Sequence, residues 1–343
     1  MLIKARKDQM MKIAIVTCMK NEGPFVLEWV AYNRLIGVTD FLVYTNDCSD
    51  GTDDLLDCLE RQGIVSRLDN PATRDQPYQM TALKASAHHE LVKGADWTFV
   101  CDVDEFLDIR VGRQTIPDLI TATGNPMAIS VTMRMMANCG VDQFDDVPVI
   151  AQFTRSHDPE RWNDQSAIEV KTLTRRDFPL KFYGAHRPFI SRRAEEEGQE
   201  IAWTDGSGRP VPDAFKTAAM KRRRQRFPAK GASNFAALNH YTLRALESYL
   251  VKSHRGDVNR SGRAFAREYW TERNDGRWSE TRMLRHLPGL QDELHRLKAL
   301  PGVAAAHEAS VAAHRALIGR LSETDEYKML AAALRQSSKD VLA

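Results

Sequence analysis

Along the first hundred positions, short apolar runs alternate with segments of helical spacing. Residues 12–18, 41–44 and 97–101 are apolar stretches of strand length, and Ile64-Val65 starts a further short strand. Between the first two, Val26, Trp29, Val30 and Asn33 fall at i, i+3, i+4 and i+7. Pro24 suits the first position of that helix, and Gly37 stops it near residue 36. Leu55, Leu56 and Leu59 mark a second helix, begun at Thr52 or Asp53 and ended by Gly63. A third runs over 78–92, with Met80, Leu83, Ala87 and Leu91 on one side and Gly94 closing it. Strand and helix alternating at this spacing predict βαβ units, hence an α/β fold around a mostly parallel sheet with right-handed crossovers. Neither a Gly-x-Gly-x-x-Gly turn nor a Gly-Lys-Ser loop follows the first strand, which argues against a dinucleotide enzyme or a P-loop NTPase.

After residue 108 the pattern loosens. Residues 128–133, 147–153 and 168–174 read as strands, whereas 158–164 and 195–227 are polar and read as loops. From Leu243 onward the chain turns helical. Leu243, Leu246 and Leu250 share a face; Leu290, Leu294 and Leu297 form another behind Pro288; Val303, His307, Val311, His314 and Leu321 form a third. These faces carry apolar spacing without a convergent polar cluster, so the helical end is expected to serve assembly or stability and not chemistry. The expected division is a loose extension over 1–10, with Met11 a candidate start, a main domain over 11–260, and a helical C-terminal region over 261–343.

Composition narrows the function classes. Lys and Arg number 48 against 46 Asp and Glu, so no global field points to nucleic acid. Five cysteines, odd in number and without metal-ligand spacing, predict reduced thiols and a cytoplasmic protein. No apolar stretch approaches the ~20 residues that span a bilayer. The basic run 221–226 reads first as a solvated loop. It is also a candidate contact for an anionic membrane surface or an acidic glycan.

The candidate chemistry gathers where the fourth strand ends, in Trp97-Thr98-Phe99-Val100-Cys101-Asp102-Val103-Asp104-Glu105-Phe106-Leu107-Asp108. The carboxyl ends of parallel strands are where open α/β sheets bind ligands. Asp102 and Asp104 are two apart, so an extended backbone points them the same way, making a hard-oxygen site for Mg²⁺ or Mn²⁺. The bland alternative is a polar strand end with solvated acids. Lys252 and Arg255 lie on one helix, where they can approach a diphosphate or stay solvated.

The blocks around these residues are more specific than Asp-x-Asp. Asn21-Glu22-Gly23-Pro24, Leu27-Glu28-Trp29, Leu35-Ile36-Gly37-Val38, the turn from Asn46 to Thr52 and Asp102 to Phe106 resemble the bacterial family-2-like glycosyltransferases related to glycosyltransferase family 92. Weaker similarity extends over 134–140, 149–155, 171–175 and Asn239-His240-Tyr241. The resemblance implies a Rossmann-like GT-A fold and a metal-dependent enzyme. Its donor would be a nucleotide sugar, UDP-linked, and its acceptor a hydroxyl of a glycan or lipid-linked glycan, with inversion. It also implies Asp104 on Mn²⁺ or Mg²⁺, Asp102 on the ribose or a metal water, and Thr17, Asn21, Glu22 and Asp47 along the nucleotide. The alternative reading of Asn21 and Glu22 is as caps of the helix at Pro24, and that of Asp47 is as a turn former. His240 is the expected third metal ligand, with His186 its rival. The base is sought among Asp142, Asp145 and Asp164, with Asp142 favoured. A metal-dependent nucleotidyltransferase and a silent glycan-binding scaffold are the alternatives.

Overall fold

The computed structural model describes residues 10–73, 76–158, 170–219, 227–255 and 263–342. Its strands are β1 (Ile13–Met19), β2 (Asp40–Thr45), β3 (Ser66–Asp69), β4 (Trp97–Val100), β5 (Glu105–Ile109), β6 (Ala128–Met135), β7 (Arg155–Ser156), β8 (Val170–Arg175), β9 (Leu180–Phe182), β10 (Phe189–Ile190), β11 (Trp203–Asp205), β12 (Ala236–His240) and β13 (Trp278–Ser279). Nine build one sheet in the order β3-β2-β1-β4-β8-β6-β12-β5, with β11 joined to β6. Strands β3, β2, β1 and β4 run parallel, joined by helices Gly23–Leu35, Thr52–Arg61 and Tyr78–Ser86. The second half mixes directions: β8 is antiparallel to both β4 and β6, and β5 is antiparallel to β12. The fold is therefore the expected α/β class, with a large, mostly parallel sheet.

Strand β1 shows why a continuous apolar run was needed. Ile13 and Ile15 enter one core with Val26, Trp29 and Val30 of the first helix, while Val16 enters the core on the opposite face with Leu83 and Val100. Both faces are covered, as a parallel sheet requires.

Several expectations fail for identifiable reasons. The apolar run over 147–153 forms a short helix, Val149–Gln152, and not a strand. Buried Glu28 accepts the Val149 and Ile150 N–H groups at 2.8 and 3.2 Å, supplying the partners that the first turn of a helix lacks. The third strand lies at Ser66–Asp69, just past Ile64 and Val65, because the Ile64 N–H still donates to Leu59 at the end of the preceding helix. The helix expected over 78–92 breaks at His88 and His89, and a separate turn follows over Glu90–Gly94. The polar stretch 195–227 contains β11, whose Trp203 sits in a core of its own with Phe178, Phe215 and Phe227.

The helical end packs into the body of the molecule. Met283, Leu290, Leu297 and Val303 belong to the same core as β1 and the first helix. Arg34 of that helix pairs with Glu293 at 2.6 Å. Among the described residues no helix is long and apolar enough to cross a membrane.

Candidate functional site

The loops after β1, β2 and β4 converge at the carboxyl ends of their strands. After β1, Asn21 adopts a left-handed backbone (φ 51°) and its side-chain oxygen accepts the Ser49 N–H at 2.7 Å, tying this loop to the one after β2. Neither Asn21 nor Glu22 caps the first helix through its side chain. Asp50 does so, accepting the Gly23 N–H at 3.1 Å. Asp47 is also left-handed (φ 48°) and faces solvent beside Lys20. Thr17 is buried on β1, with its hydroxyl unpartnered.

The expectation for Asp102 and Asp104 is met in place but not in geometry. Strand β4 ends at Val100, and Asp102 precedes a turn through Val103 and Asp104 into β5, so no single pleat aligns the two carboxylates. Asp102 accepts from Gln79 Nε2 at 3.3 Å and from Lys171 Nζ at 2.8 Å. Asp104 accepts from Lys252 Nζ at 2.7 Å, and His240 Nε2 stands 3.4 Å from its other oxygen. In the β12–β5 ladder His240 sits directly opposite Glu105.

Asp104, Glu105 and His240 thus offer ligand atoms that all lie within 4.8 Å of one another. Asp102, expected beside Asp104, is not part of this group, whereas Glu105 is. Two oxygens and an imidazole nitrogen fit Mn²⁺ or Mg²⁺, and the imidazole favours Mn²⁺. Glu105 Oε1 is buried without a partner, an open ligand position. His186 is not in the group; its Nδ1 lies 3.2 Å from the Val170 carbonyl.

Basic side chains make these buried acids tenable. Burial opposes the ionisation of Asp104, but Lys252 and His240 outweigh it and hold the carboxyl well below the usual range. Asp104 in turn raises His240 against its own burial. Burial pushes Glu105 up to about 7, although Lys171 lies 3.2 Å away. Glu22 is brought down to about 2 against burial by Arg255 and Arg244, the latter at 2.8 Å. Arg255 also donates to the Lys20 and Asn21 carbonyls. Its guanidinium is therefore committed to the loop after β1 and does not stand free for a phosphate.

Lys171 and Arg244 were not anticipated as site residues. For the first, the sequence offered a lysine inside the buried strand Val170–Arg175, at the start of the block 171–175 that shares the family resemblance. Asp142, expected as the base, lies away from the cluster: it is half exposed and accepts from Arg335 at 2.7 Å. Asp145 faces Arg315 at 3.9 Å, and Asp164 lies outside the described residues, as does the basic run 221–226.

Residues 14–167 match the model of glycosyltransferase family 92. The chain is 28% identical over 111 residues to a glycosyltransferase family 92 protein of Oryza sativa subsp. japonica, covering 32% of this chain and 18% of that one. It is 28% identical over 175 residues to one from Arabidopsis thaliana, covering 48% and 29%. The chain thus spans less than a third of the curated relatives it matches. Among solved structures, S. aureus TarS 1–349 aligns over 96% of this chain and 91% of that one at 10% identity, with a TM-score of 0.34.

Proposed function

We propose that this chain is a metal-dependent glycosyltransferase of GT-A type. In this reading it moves a sugar from a nucleoside-diphosphate donor, UDP-linked, to a hydroxyl of a glycan or lipid-linked glycan, with inversion. The observation that carries it is the Asp104–Glu105–His240 group at the carboxyl end of a parallel sheet, its two acids inside the segment that matches family 92. Thr17 and the loops holding Asn21 and Asp47 line the same end and would receive the nucleoside, while Asp102 stands at their edge, 31% exposed, for the ribose. A divalent ion held by Asp104, Glu105 and His240 would supply charge neutralisation to the leaving diphosphate. Lys252 adds a cation beside it. Lys171, itself buried, keeps Asp102 and Glu105 fixed in orientation, so the site does not have to reorganise as charge develops. Five free cysteines suit a reducing compartment, and the proposal places the enzyme in the cytoplasm.

The test is titration of UDP in the presence and absence of Mn²⁺, followed by a screen of UDP-sugars for metal-dependent sugar release. Asp104→Asn is expected to lose the Mn²⁺ dependence of UDP binding and to lower turnover by at least ~10²-fold, while circular dichroism stays unchanged. Equal UDP affinity with Mn²⁺ and with excess chelator would sink the reading.

A further inference from the structure

Two lysines serve the acidic cluster, and they are held very differently. Lys171 is 1% exposed and lies between two carboxylates, Asp102 at 2.8 Å and Glu105 at 3.2 Å. Lys252 keeps 30% of its side chain exposed, meets one carboxylate among the described residues, Asp104 at 2.7 Å, and also touches the Thr242 hydroxyl at 3.2 Å and its carbonyl at 3.5 Å. Asp104, by contrast, is only 8% exposed. With His240 on its other oxygen, both acceptor oxygens of Asp104 are engaged. An ion reaching Asp104 must therefore displace a cation already there. Lys171 is boxed in, whereas Lys252 has a flexible four-carbon stem and a path outward.

The charges around the site point the same way. Glu22, Asp102, Asp104 and Glu105 are matched by Arg244, Arg255, Lys171 and Lys252, each acid having at least one basic partner within 4 Å. With Glu105 ionised and His240 neutral, the forms in which they can ligate a metal, adding a divalent ion alone would leave two positive charges in excess in a largely desolvated site. A nucleoside diphosphate entering with the ion removes that excess and gives the released ammonium a new partner.

We propose that Lys252 is a resident counter-ion of Asp104 that excludes the divalent ion until a nucleoside diphosphate arrives, and that then moves to the diphosphate. The inference rests on the glycosyltransferase reading of the same residues and deepens it: ion and nucleotide bind as a coupled pair, with Lys252 as the coupling element. By linkage the enhancement is reciprocal, so Mn²⁺ raises UDP affinity by the factor by which UDP raises Mn²⁺ affinity.

The protein is titrated with MnCl₂, reading free Mn²⁺ by electron paramagnetic resonance, with and without saturating UDP. Wild type is expected to bind Mn²⁺ at least tenfold more weakly alone than with UDP. Lys252→Met should bind Mn²⁺ alone at least tenfold more tightly than wild type and lose most of the enhancement by UDP. Lys252→Arg, which keeps the charge, should restore weak binding of Mn²⁺ alone. Lys252→Gln provides the neutral variant if the methionine form does not fold. A folded neutral variant that binds Mn²⁺ alone no better than wild type overturns the inference. Asp104→Asn separates it from the underlying reading. If Asp104→Asn retains wild-type Mn²⁺ and UDP binding, the metal-site assignment itself is wrong; if it loses binding while the neutral Lys252 variants gain nothing, only the counter-ion role fails.

Discussion

At the scale of single residues, the acids after β4 were legible by type and the way they are held was not. A run of four carboxylates behind an apolar strand reads as a candidate metal site or, in the bland alternative, as a solvated strand end. In the structure Asp104, Glu105 and Asp108 are all buried. Most of their neutralising partners come from far along the chain: Lys171 for Glu105, Lys252 for Asp104, and Arg282 and Arg285 for Asp108, which also pairs with its near neighbour Arg110 at 2.8 Å. No local pattern announces such pairs, because the separation between partners is set by the fold. Glu28 is the clearest isolated case. It lies in the first helix, forms no ion pair among the described residues and accepts from two backbone N–H donors, and burial pushes its carboxyl up to about 7 from 4.5. Its folded form thus binds a proton more tightly than its unfolded form. Between about pH 4.5 and 7 the unfolded chain gives up this proton first, so the stabilisation present at low pH is lost as pH rises through that window. A rise from 4.5 to about 7 corresponds to about 3 kcal/mol. Chemical denaturation of wild type and Glu28→Gln across pH 4 to 8 is the check. The stability of the variant relative to wild type should rise with pH through the window, and a pH-independent difference would remove the assignment.

At the scale of elements, β1, β2 and β4 were readable because they are apolar runs buried on both faces, and the helix Thr52–Arg61 because Leu55, Leu56 and Leu59 form one buried stripe, whereas β3, Ser66-Arg67-Leu68-Asp69, carries no such signal. Short elements in the second half escaped. β5 was hidden by its acids, Val149–Gln152 by an apolar run of strand length, and β11 by the polar segment around it. One contact between elements defines how the helical end meets the site. Ser310, on the helix Val303–Ser322, is fully buried against the start of the first helix and the turn before the second. A Cβ on Gly23 would stand 2.5 Å from Ser310 Oγ and 2.7 Å from its Cβ, and one on Gly51 would stand 2.9 Å from the same Oγ. Gly23→Ala is therefore expected to cost about 1–3 kcal/mol by overpacking. Because the Ser310 Cβ also intrudes, Ser310→Ala should not relieve the strain, whereas Ser310→Gly should recover part of it. The check is a double-mutant cycle by urea unfolding; strictly additive effects of Gly23→Ala and Ser310→Gly would show that the two do not meet.

At the scale of the molecule, the expected boundary near residue 260 divides the sequence more cleanly than it divides the packing. The helical end contributes Val303, His307, Ser310, Val311, His314 and Ile318 from one helix, all buried. His314 lies edge-on between Phe25 and Phe144 and is 3.1 Å from the Ser248 hydroxyl, on the helix that carries Lys252. His307 reaches Asp146 at 3.1 Å. Periodicity showed the face and could not show what it covers: the Asn21–Gly23 and Asp50–Thr52 loops together with the helix bearing Lys252 and Arg255. A stabilising role for this end, expected from its spacing, therefore extends to the donor loops themselves. Removing everything after Leu300 strips the buried Val303, Val311 and Ile318, each worth about 1.5–3 kcal/mol. Summed, that is comparable with the ~5–15 kcal/mol net stability of a domain. The truncated chain should accordingly lose its cooperative thermal transition and, with it, UDP binding in the presence of Mn²⁺. Differential scanning fluorimetry and titration of the purified truncation decide the matter. A truncated protein with the wild-type unfolding midpoint and wild-type UDP affinity would show that the helix is an appendage, and that the loops around Gly23 and Gly51 hold their form without Ser310 against them.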